Sequence, residues 1–94
     1  RVKLARARIS GDRIVVRGTL RKGATGTVKV TYRVRARGRT LAYSRKARVR
    51  RGAFRVAIRL SRTARRAARG TLIVKYLGDP RYRAETARRT VTRR

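Results

Sequence analysis

The side chains in this sequence that can do chemistry are almost all arginine and lysine. Basic residues number 31 against three acidic ones, a formal net charge of +28 over 94 residues. Only five of them are lysines, so the guanidinium group, which forms paired hydrogen bonds with phosphate or carboxylate, dominates. A small soluble domain ordinarily carries a net charge of about 2 to 8 in magnitude. The excess therefore predicts binding of a polyanion, which is DNA, RNA or an anionic polysaccharide.

The segment 27–37 places a cation at almost every second position. In an extended strand, alternate side chains lie on the same face about 6.6 Å apart. That spacing is comparable with successive anionic groups along an extended polyanion. The next predicted strand, 40–50, adds cations to the same predicted surface. The predicted polyanion-binding residues are Lys29, Arg33, Arg35, Arg37, Lys46, Arg48 and Arg50.

A second basic patch falls between the predicted strands, in the segment 61–70. Ser61 is a typical helix N-cap and Gly70 a typical helix end, with alanines on one face of the short helix between them. Two interpretations of this segment are open. It is either an arginine-rich helix that binds nucleic acid or a solvated crossover between strands of two sheets, and we favour the crossover. The patch consists of Arg62, Arg65, Arg66 and Arg69.

Catalysis is not expected. The chain contains neither His nor Cys, which removes the imidazole base, the thiol nucleophile, disulfides and the usual zinc ligands. The three carboxylates, Asp12, Asp79 and Glu85, are too scattered to form an acid–base pair or a calcium site. We predict no catalytic residue, no metal and no cofactor. No apolar run approaches the ~20 residues of a transmembrane helix.

Composition alone does not separate a folded chain from a disordered one, because high net charge and a mean hydropathy of -0.61 are typical of disorder. Alternation of apolar and polar residues in three segments (28–36, 54–60 and 71–76) favours strands with one buried face. Glycine-containing breaks divide the chain regularly. The predicted strands span residues 2–9, 13–20, 27–37, 40–50, 53–60, 70–77 and 83–92 of a single domain, 1–94. This spacing predicts an all-β antiparallel sandwich or barrel.

Two details follow for the long hairpin in the middle of the chain. A two-residue loop at Gly38-Arg39 places Arg33 opposite Ser44 and Arg35 opposite Ala42, so small residues and not like charges lie across from these arginines. It also gathers the basic side chains of both strands on one surface. Arg45 then points inward beside Tyr32. An inward charge discourages the addition of another strand, so Arg45 is predicted to mark an exposed sheet edge.

The segment Val74-Lys75-Tyr76-Leu77-Gly78-Asp79-Pro80-Arg81-Tyr82 resembles the V-x-Y-x-G-D-x-x-Y signature of bacterial immunoglobulin-like repeat domains. These domains occur in secreted and cell-surface proteins. The resemblance implies an immunoglobulin-like antiparallel β-sandwich of about seven strands. It also implies a spacer, adhesion or carbohydrate-contact role without a shared catalytic site, and an extracellular or cell-surface location. Such domains are typically neutral or acidic, so the charge of this chain argues against a pure spacer.

The motif has a structural interpretation. Tyr76 has the inward parity of its strand and needs a partner for its hydroxyl group. Gly78 allows the chain to reverse, Asp79 can accept backbone N–H groups, and Pro80 fixes the bend. Tyr82 is predicted to fold back over the end of the core. We expect a structural corner and no ligand contact.

Non-specific, electrostatic binding of a polyanion is the function that these observations favour. Sequence-specific reading of bases is not expected, because the chain has no recognition helix with Asn or Gln to address adenine. One alternative is a structural subunit or repeat of an extracellular assembly, with self-association or tandem domains. Another is an intracellular component associated with nucleic acid. The absence of Asn, Gln, Met and Cys is typical of proteins from thermophiles, and GC-rich coding is the alternative explanation.

Overall fold

The computed structural model describes residues 3–67 and 69–92, and Val2 and Ala68 of the predicted elements lie outside them. The predicted all-β class with seven strands is confirmed. Within the described residues, the one further element is a five-residue helix. The elements are β1 (Lys3–Ser10), β2 (Arg13–Thr19), β3 (Gly26–Ala36), β4 (Arg39–Val49), β5 (Ala53–Arg59), α1 (Arg62–Arg66), β6 (Arg69–Tyr76) and β7 (Glu85–Thr92).

The strands form two antiparallel sheets. One has three strands in the order β1-β2-β5, and the other has four in the order β4-β3-β6-β7. The chain crosses between the sheets after β2, after β4 and after β5. The sequence alone does not assign a partner to strand 53–60, and the structure pairs it with β2, for example Val16 with Val56.

The core lies between the two sheets and follows the predicted alternation. Inward side chains of β2, β3, β5 and β6 are almost completely buried, and the arginines and lysines between them point outward. Burial of aliphatic side chains stabilises the fold by about 1.5–3 kcal/mol for each fully buried residue. The largest fully buried side chains are Tyr32, Tyr76, Ile14, Leu72, Val16, Val28, Val30, Val34 and Val74.

The register of the β3–β4 hairpin differs from the predicted one by two residues. The loop is Arg37-Gly38, and Arg33 lies opposite Ala42 instead of Ser44. Arg37 has φ 53° and Gly38 has φ 73°. Positive φ at both loop residues is the geometry of a type I′ turn, which matches the twist of the flanking strands. The prediction was wrong because an arginine in the left-handed region is uncommon.

Arg45 lies on an edge strand, as predicted, because β4 forms one side of the four-stranded sheet. Its neighbour on β3 is Val30 and not Tyr32, which follows from the corrected register. The Arg45 side chain reaches the other sheet, where Nη1 donates a hydrogen bond of 3.0 Å to the Ala57 carbonyl of β5. This charge at the open side of the two sheets opposes pairing with a further strand.

The segment after β5 is a crossover between the sheets. Ser61 caps α1, and its Oγ accepts a hydrogen bond of 3.3 Å from the Ala64 backbone N–H, as predicted. The helix ends at Arg66, so the expectation that Gly70 ends it is wrong. Gly70 is instead a buried residue of β6. The segment joins β5 in one sheet to β6 in the other, which confirms the crossover interpretation.

Candidate polyanion-binding surface

The outward surface of the sheet β4-β3-β6-β7, here called the four-stranded face, holds most of the predicted binding residues. Lys29, Arg33 and Arg35 of β3 and Lys46 and Arg48 of β4 are all exposed. They share one surface despite the register error, because a shift of two residues leaves the side-chain parity unchanged. The expectation of a shared basic surface on this hairpin is therefore confirmed.

Two predicted binding residues lie at the ends of that surface. Arg37 occupies the tip of the β3–β4 hairpin. Arg50 follows β4 and pairs with Ala53 through two backbone hydrogen bonds of 2.8 and 2.9 Å. Both residues are exposed, so their charges extend the four-stranded face lengthwise.

A row of lysines crosses the four-stranded face. Lys46 lies opposite Lys29, and Lys29 lies opposite Lys75 on its other side. Small uncharged residues lie opposite the β3 arginines, Ala42 opposite Arg33 and Thr40 opposite Arg35, but this separation does not extend to the lysine row. Like charges directly opposite each other destabilise a sheet by roughly 0.2–1 kcal/mol for each pair. Lys75 was missed as a candidate because the pairing of β3 with β6 cannot be read from the turns of the chain.

Hydroxyl groups lie between these cations. Thr31 and Ser44 face each other, and their hydroxyl oxygens are 3.0 Å apart. Threonines also occupy outward positions of β6 and β7, for example Thr71 opposite Thr90. Ser and Thr hydroxyls, like Arg and Lys, are frequent partners of phosphate oxygens in complexes with nucleic acid. The four-stranded face thus combines charge with neutral hydrogen-bonding groups.

The second predicted patch is not one surface. Arg62 and Arg66 are exposed on α1, whereas Arg65 is half-buried and donates a hydrogen bond of 3.5 Å to the Gly11 carbonyl. Arg69 begins β6, where its outward parity places it on the four-stranded face. It lines a shallow depression there together with Arg33, Arg35, Thr40 and Thr71. Arg69 therefore belongs with the first set of residues.

The outward surface of the sheet β1-β2-β5, here called the three-stranded face, is also basic and was missed. Arg6 lies opposite Arg17, and Arg17 lies opposite Arg55, so three arginines form one row across the sheet. The Gly11-Asp12 turn sets the pairing of β1 with β2, so the first half of this row could have been found from the sequence. The second half depends on the pairing of β2 with β5.

Carboxylates do little to neutralise either face. Asp12 forms ion pairs with Arg59 at 3.2 Å and with Arg13 at 3.6 Å, all at one end of the three-stranded face. The carboxylate of Asp79 is committed to the corner described next. Three acidic residues against 31 basic ones can neutralise only a small part of the positive charge.

The motif at residues 74–82 builds a structural corner, as predicted. The Tyr76 side chain is buried beneath the corner, and its hydroxyl donates a hydrogen bond of 2.6 Å to the Thr25 carbonyl. Asp79 Oδ2 accepts from the backbone N–H of Thr25 at 2.9 Å and from its hydroxyl at 3.1 Å. Asp79 Oδ1 accepts from the backbone N–H groups of Arg81 and Tyr82, each at 2.7 Å. Asp79 therefore joins the loop before β3 to the loop before β7.

These contacts shift the ionisation of both side chains. Hydrogen bonds to the carboxylate, first that from the Thr25 backbone N–H and then those from Tyr82 and Arg81, hold the pKa of Asp79 well below its usual range. Burial raises the pKa of Tyr76, and the neighbouring Asp79 carboxylate raises it further. The corner thus favours ionised Asp79 beside a neutral tyrosine.

Acid should unfold the protein partly through Asp79. Its pKa is lower in the folded than in the unfolded state, so its stabilising contribution is complete above the unfolded pKa of about 3.9 and is lost as pH falls through the folded pKa. We expect the melting temperature to fall with pH in this acid range. An Asp79→Ala variant should be less stable than the wild type at pH 7, and the difference should shrink as pH falls.

An Asp12→Ala variant is the control, since it removes a carboxylate from an exposed ion pair but keeps the corner intact. Its difference from the wild type should stay small, because exposed ion pairs contribute little. Melting curves measured by circular dichroism from pH 7 to about pH 2 check both expectations. A constant difference between the Asp79→Ala variant and the wild type over this range would contradict the role of the carboxylate.

The chain matches no protein-family model, no curated protein and no solved structure. Across residues 3–67 and 69–92, no helix is both long and apolar enough to cross a membrane. Function is therefore inferred from the two basic faces.

Proposed function

We propose that this chain is a non-catalytic, immunoglobulin-like module that binds polyanions through electrostatic contacts independent of sequence. One observation carries the proposal. Every charged side chain at an outward position of β3, β4, β6 and β7 is basic, as the described strands show. No structural requirement of the sheet calls for such a surface, and its like-charge row opposes folding.

The immunoglobulin-like assignment is supported by the order of the strands. In the immunoglobulin fold, the second and fifth strands are neighbours in one sheet, and the third, sixth and seventh lie side by side in the other. Here β2 lies beside β5, and β3, β6 and β7 follow one another in the four-stranded sheet. The position of β4 at the edge beside β3 corresponds to the additional strand found in some members of that class.

Among nucleic acids, the surface favours a duplex over a single strand. Outward positions of the described strands carry no aromatic side chain, since Tyr32, Tyr76 and Phe54 are buried and Tyr43 faces inward. A single strand gains much of its affinity from bases stacked on aromatic rings, and this contact is missing here. A duplex presents its phosphates outward and can be bound through charge and hydroxyl contacts to them.

The first test removes charge from β3. A Lys29→Ser, Arg33→Ser, Arg35→Ser variant should stay folded, because buried valines hold the strand in its sheet. If the three cations neutralise duplex phosphates, each contributes roughly 0.9 to the slope of log K against log salt concentration, so the slope should flatten by about 2 to 3. Fluorescence anisotropy with a labelled duplex at several salt concentrations measures this change.

A matched control removes three charges that lie off both faces. Arg62 and Arg66 are exposed on α1, and Arg83 is exposed in the loop before β7. Arg65 is kept because its side chain contacts Gly11. The Arg62→Ser, Arg66→Ser, Arg83→Ser variant should keep most of the wild-type slope. An equal loss in both variants would mean that binding follows net charge and not the four-stranded face.

Duplexes of unrelated sequence should bind with similar affinity at matched salt, because the proposed contacts are to phosphates, which carry no sequence information. Competition between two labelled duplexes of different sequence measures the ratio of their dissociation constants. A preference of about a hundredfold or more would contradict sequence-independent binding, since it approaches the range of specific complexes.

A further inference from the structure

The three-stranded face is a second basic surface, and binding of a polyanion to the four-stranded face does not account for its charge. Arg6, Arg17 and Arg55 form its central row. Arg8 is the next outward-facing residue of β1 after Arg6. All four side chains are exposed. The two ion pairs of Asp12 fall at one end of the sheet, on Arg13 and Arg59, and none of the described residues forms an ion pair with this row.

The row is costly to the fold. Opposed like charges destabilise neighbouring strands, and this row has two such pairs, Arg6 with Arg17 and Arg17 with Arg55. Bound phosphates at this position would remove the repulsion and would accept hydrogen bonds from the guanidinium groups. The same reasoning applies to the lysine row of the four-stranded face, so each face separately has the charge arrangement of a polyanion site.

The two faces point in opposite directions. They are the outer surfaces of two packed sheets, and the shortest dimension of the Cα framework is 17 Å. A duplex bound on one face would have to reverse direction around this thickness to reach the other. Duplex DNA stays nearly straight over lengths of about 50 nm, so one duplex cannot occupy both faces.

We infer that one copy of this protein bridges two nucleic acid duplexes, one on each face. The inference rests on the proposed function and extends it from binding to the linking of separate duplexes. A duplex suits both faces because neither offers the aromatic rings on which single-stranded bases stack. An anionic polysaccharide is the competing partner and is included in the test.

Capture of a second duplex tests the inference. One duplex is fixed to beads, wild-type protein is added and unbound protein is washed away, and a fluorescent duplex of unrelated sequence follows. The wild type should retain the fluorescent duplex. An Arg6→Ser, Arg17→Ser, Arg55→Ser variant and the Lys29→Ser, Arg33→Ser, Arg35→Ser variant should each still bind the beads, but capture should fall roughly tenfold or more because one face has lost three phosphate contacts.

The two variants lose the same formal charge on opposite faces, and the Arg62→Ser, Arg66→Ser, Arg83→Ser variant is again the control for charge alone. It should capture almost as much fluorescent duplex as the wild type. Thermal unfolding without nucleic acid confirms that each variant is folded. Full capture by either single-face variant would overturn the inference, as would an equal loss in the control.

Self-association of the protein on one duplex would also link two duplexes, and a mixing experiment separates this mechanism. Equal amounts of the two single-face variants are combined before capture. If bridging needs both faces on the same molecule, the mixture stays as poor as each variant alone. Restored capture would overturn the inference in favour of protein–protein contacts.

The outcomes distinguish the inference from the proposed function. If the wild type does not bind the bead duplex, the proposed binding of duplexes fails as well. If it binds the beads but captures no second duplex at any protein concentration, only bridging fails. If a polyuronate at equal charge concentration displaces both duplexes completely, the assignment of the partner as nucleic acid is overturned.

Discussion

A duplex added at low salt should raise the melting temperature of this protein by roughly 10 to 20 °C. A ligand that binds only the folded state stabilises it by about 2.7 kcal/mol at a hundred times its dissociation constant. For a domain of this length, 1 kcal/mol corresponds to about 4–8 °C. Bound phosphates would also relieve the repulsion in the rows that contain Lys29 and Arg17.

Two effects must be separated from this shift. Simple salt screens the same repulsion and should raise the melting temperature on its own, so the comparison needs sodium chloride at matched ionic strength. The unfolded chain keeps all 31 cations and also binds polyanion, which reduces the net stabilisation. The folded state should still win, because its sheets fix the cations in rows. Calorimetry that shows no shift beyond the salt control would contradict a binding function on the folded faces.

The sequence predicts this fold well wherever local chemistry decides the structure. Alternation in β3 separates Val30 and Tyr32 from Arg33 and Arg35, and the structure buries the first pair and exposes the second. The turn contacts of Asp79 were equally predictable, because a short carboxylate in a turn accepts hydrogen bonds from nearby backbone N–H groups, whereas its bonds to Thr25 were not predicted.

Long-range pairing is where prediction from the sequence fails. The pairing of β2 with β5 joins segments that the sequence separates by some 40 residues, and no turn encodes it. The position of Arg55 opposite Arg17, and with it the arginine row of the three-stranded face, therefore could not be predicted from the sequence. The β3–β4 register was missed for a local reason, since the type I′ turn requires positive φ at Arg37. The common surface survived the error because strand parity repeats every two residues.

Gly70 is a core position whose need for glycine also depends on a residue distant in the sequence, Tyr32. Replacing Gly70 with alanine should be strongly destabilising. A Cβ at Gly70 would lie 2.5 Å from Cζ and Oη of Tyr32 and 2.6 Å from Cε1. Tyr32 is 1% exposed and cannot move aside without disturbing the core. Added volume in a packed core typically costs about 1–3 kcal/mol. We expect Gly70→Ala to lower the melting temperature by roughly 4 °C or more, although alanine is normally better than glycine in a strand.

A second substitution at Tyr32 identifies the cause. Tyr32→Leu removes the ring atoms that the new methyl group would meet, so Gly70→Ala should be nearly neutral, or even stabilising, in a Tyr32→Leu background. Tyr32→Phe removes the hydroxyl but keeps Cζ and Cε1, so the cost of Gly70→Ala should largely persist there. Urea unfolding of the single and double variants gives the coupling free energy, which for contacting residues falls between about 0.5 and 3 kcal/mol. Equal costs of Gly70→Ala in all three backgrounds would mean that the ring does not require glycine at this position, and that the penalty arises elsewhere in the strand.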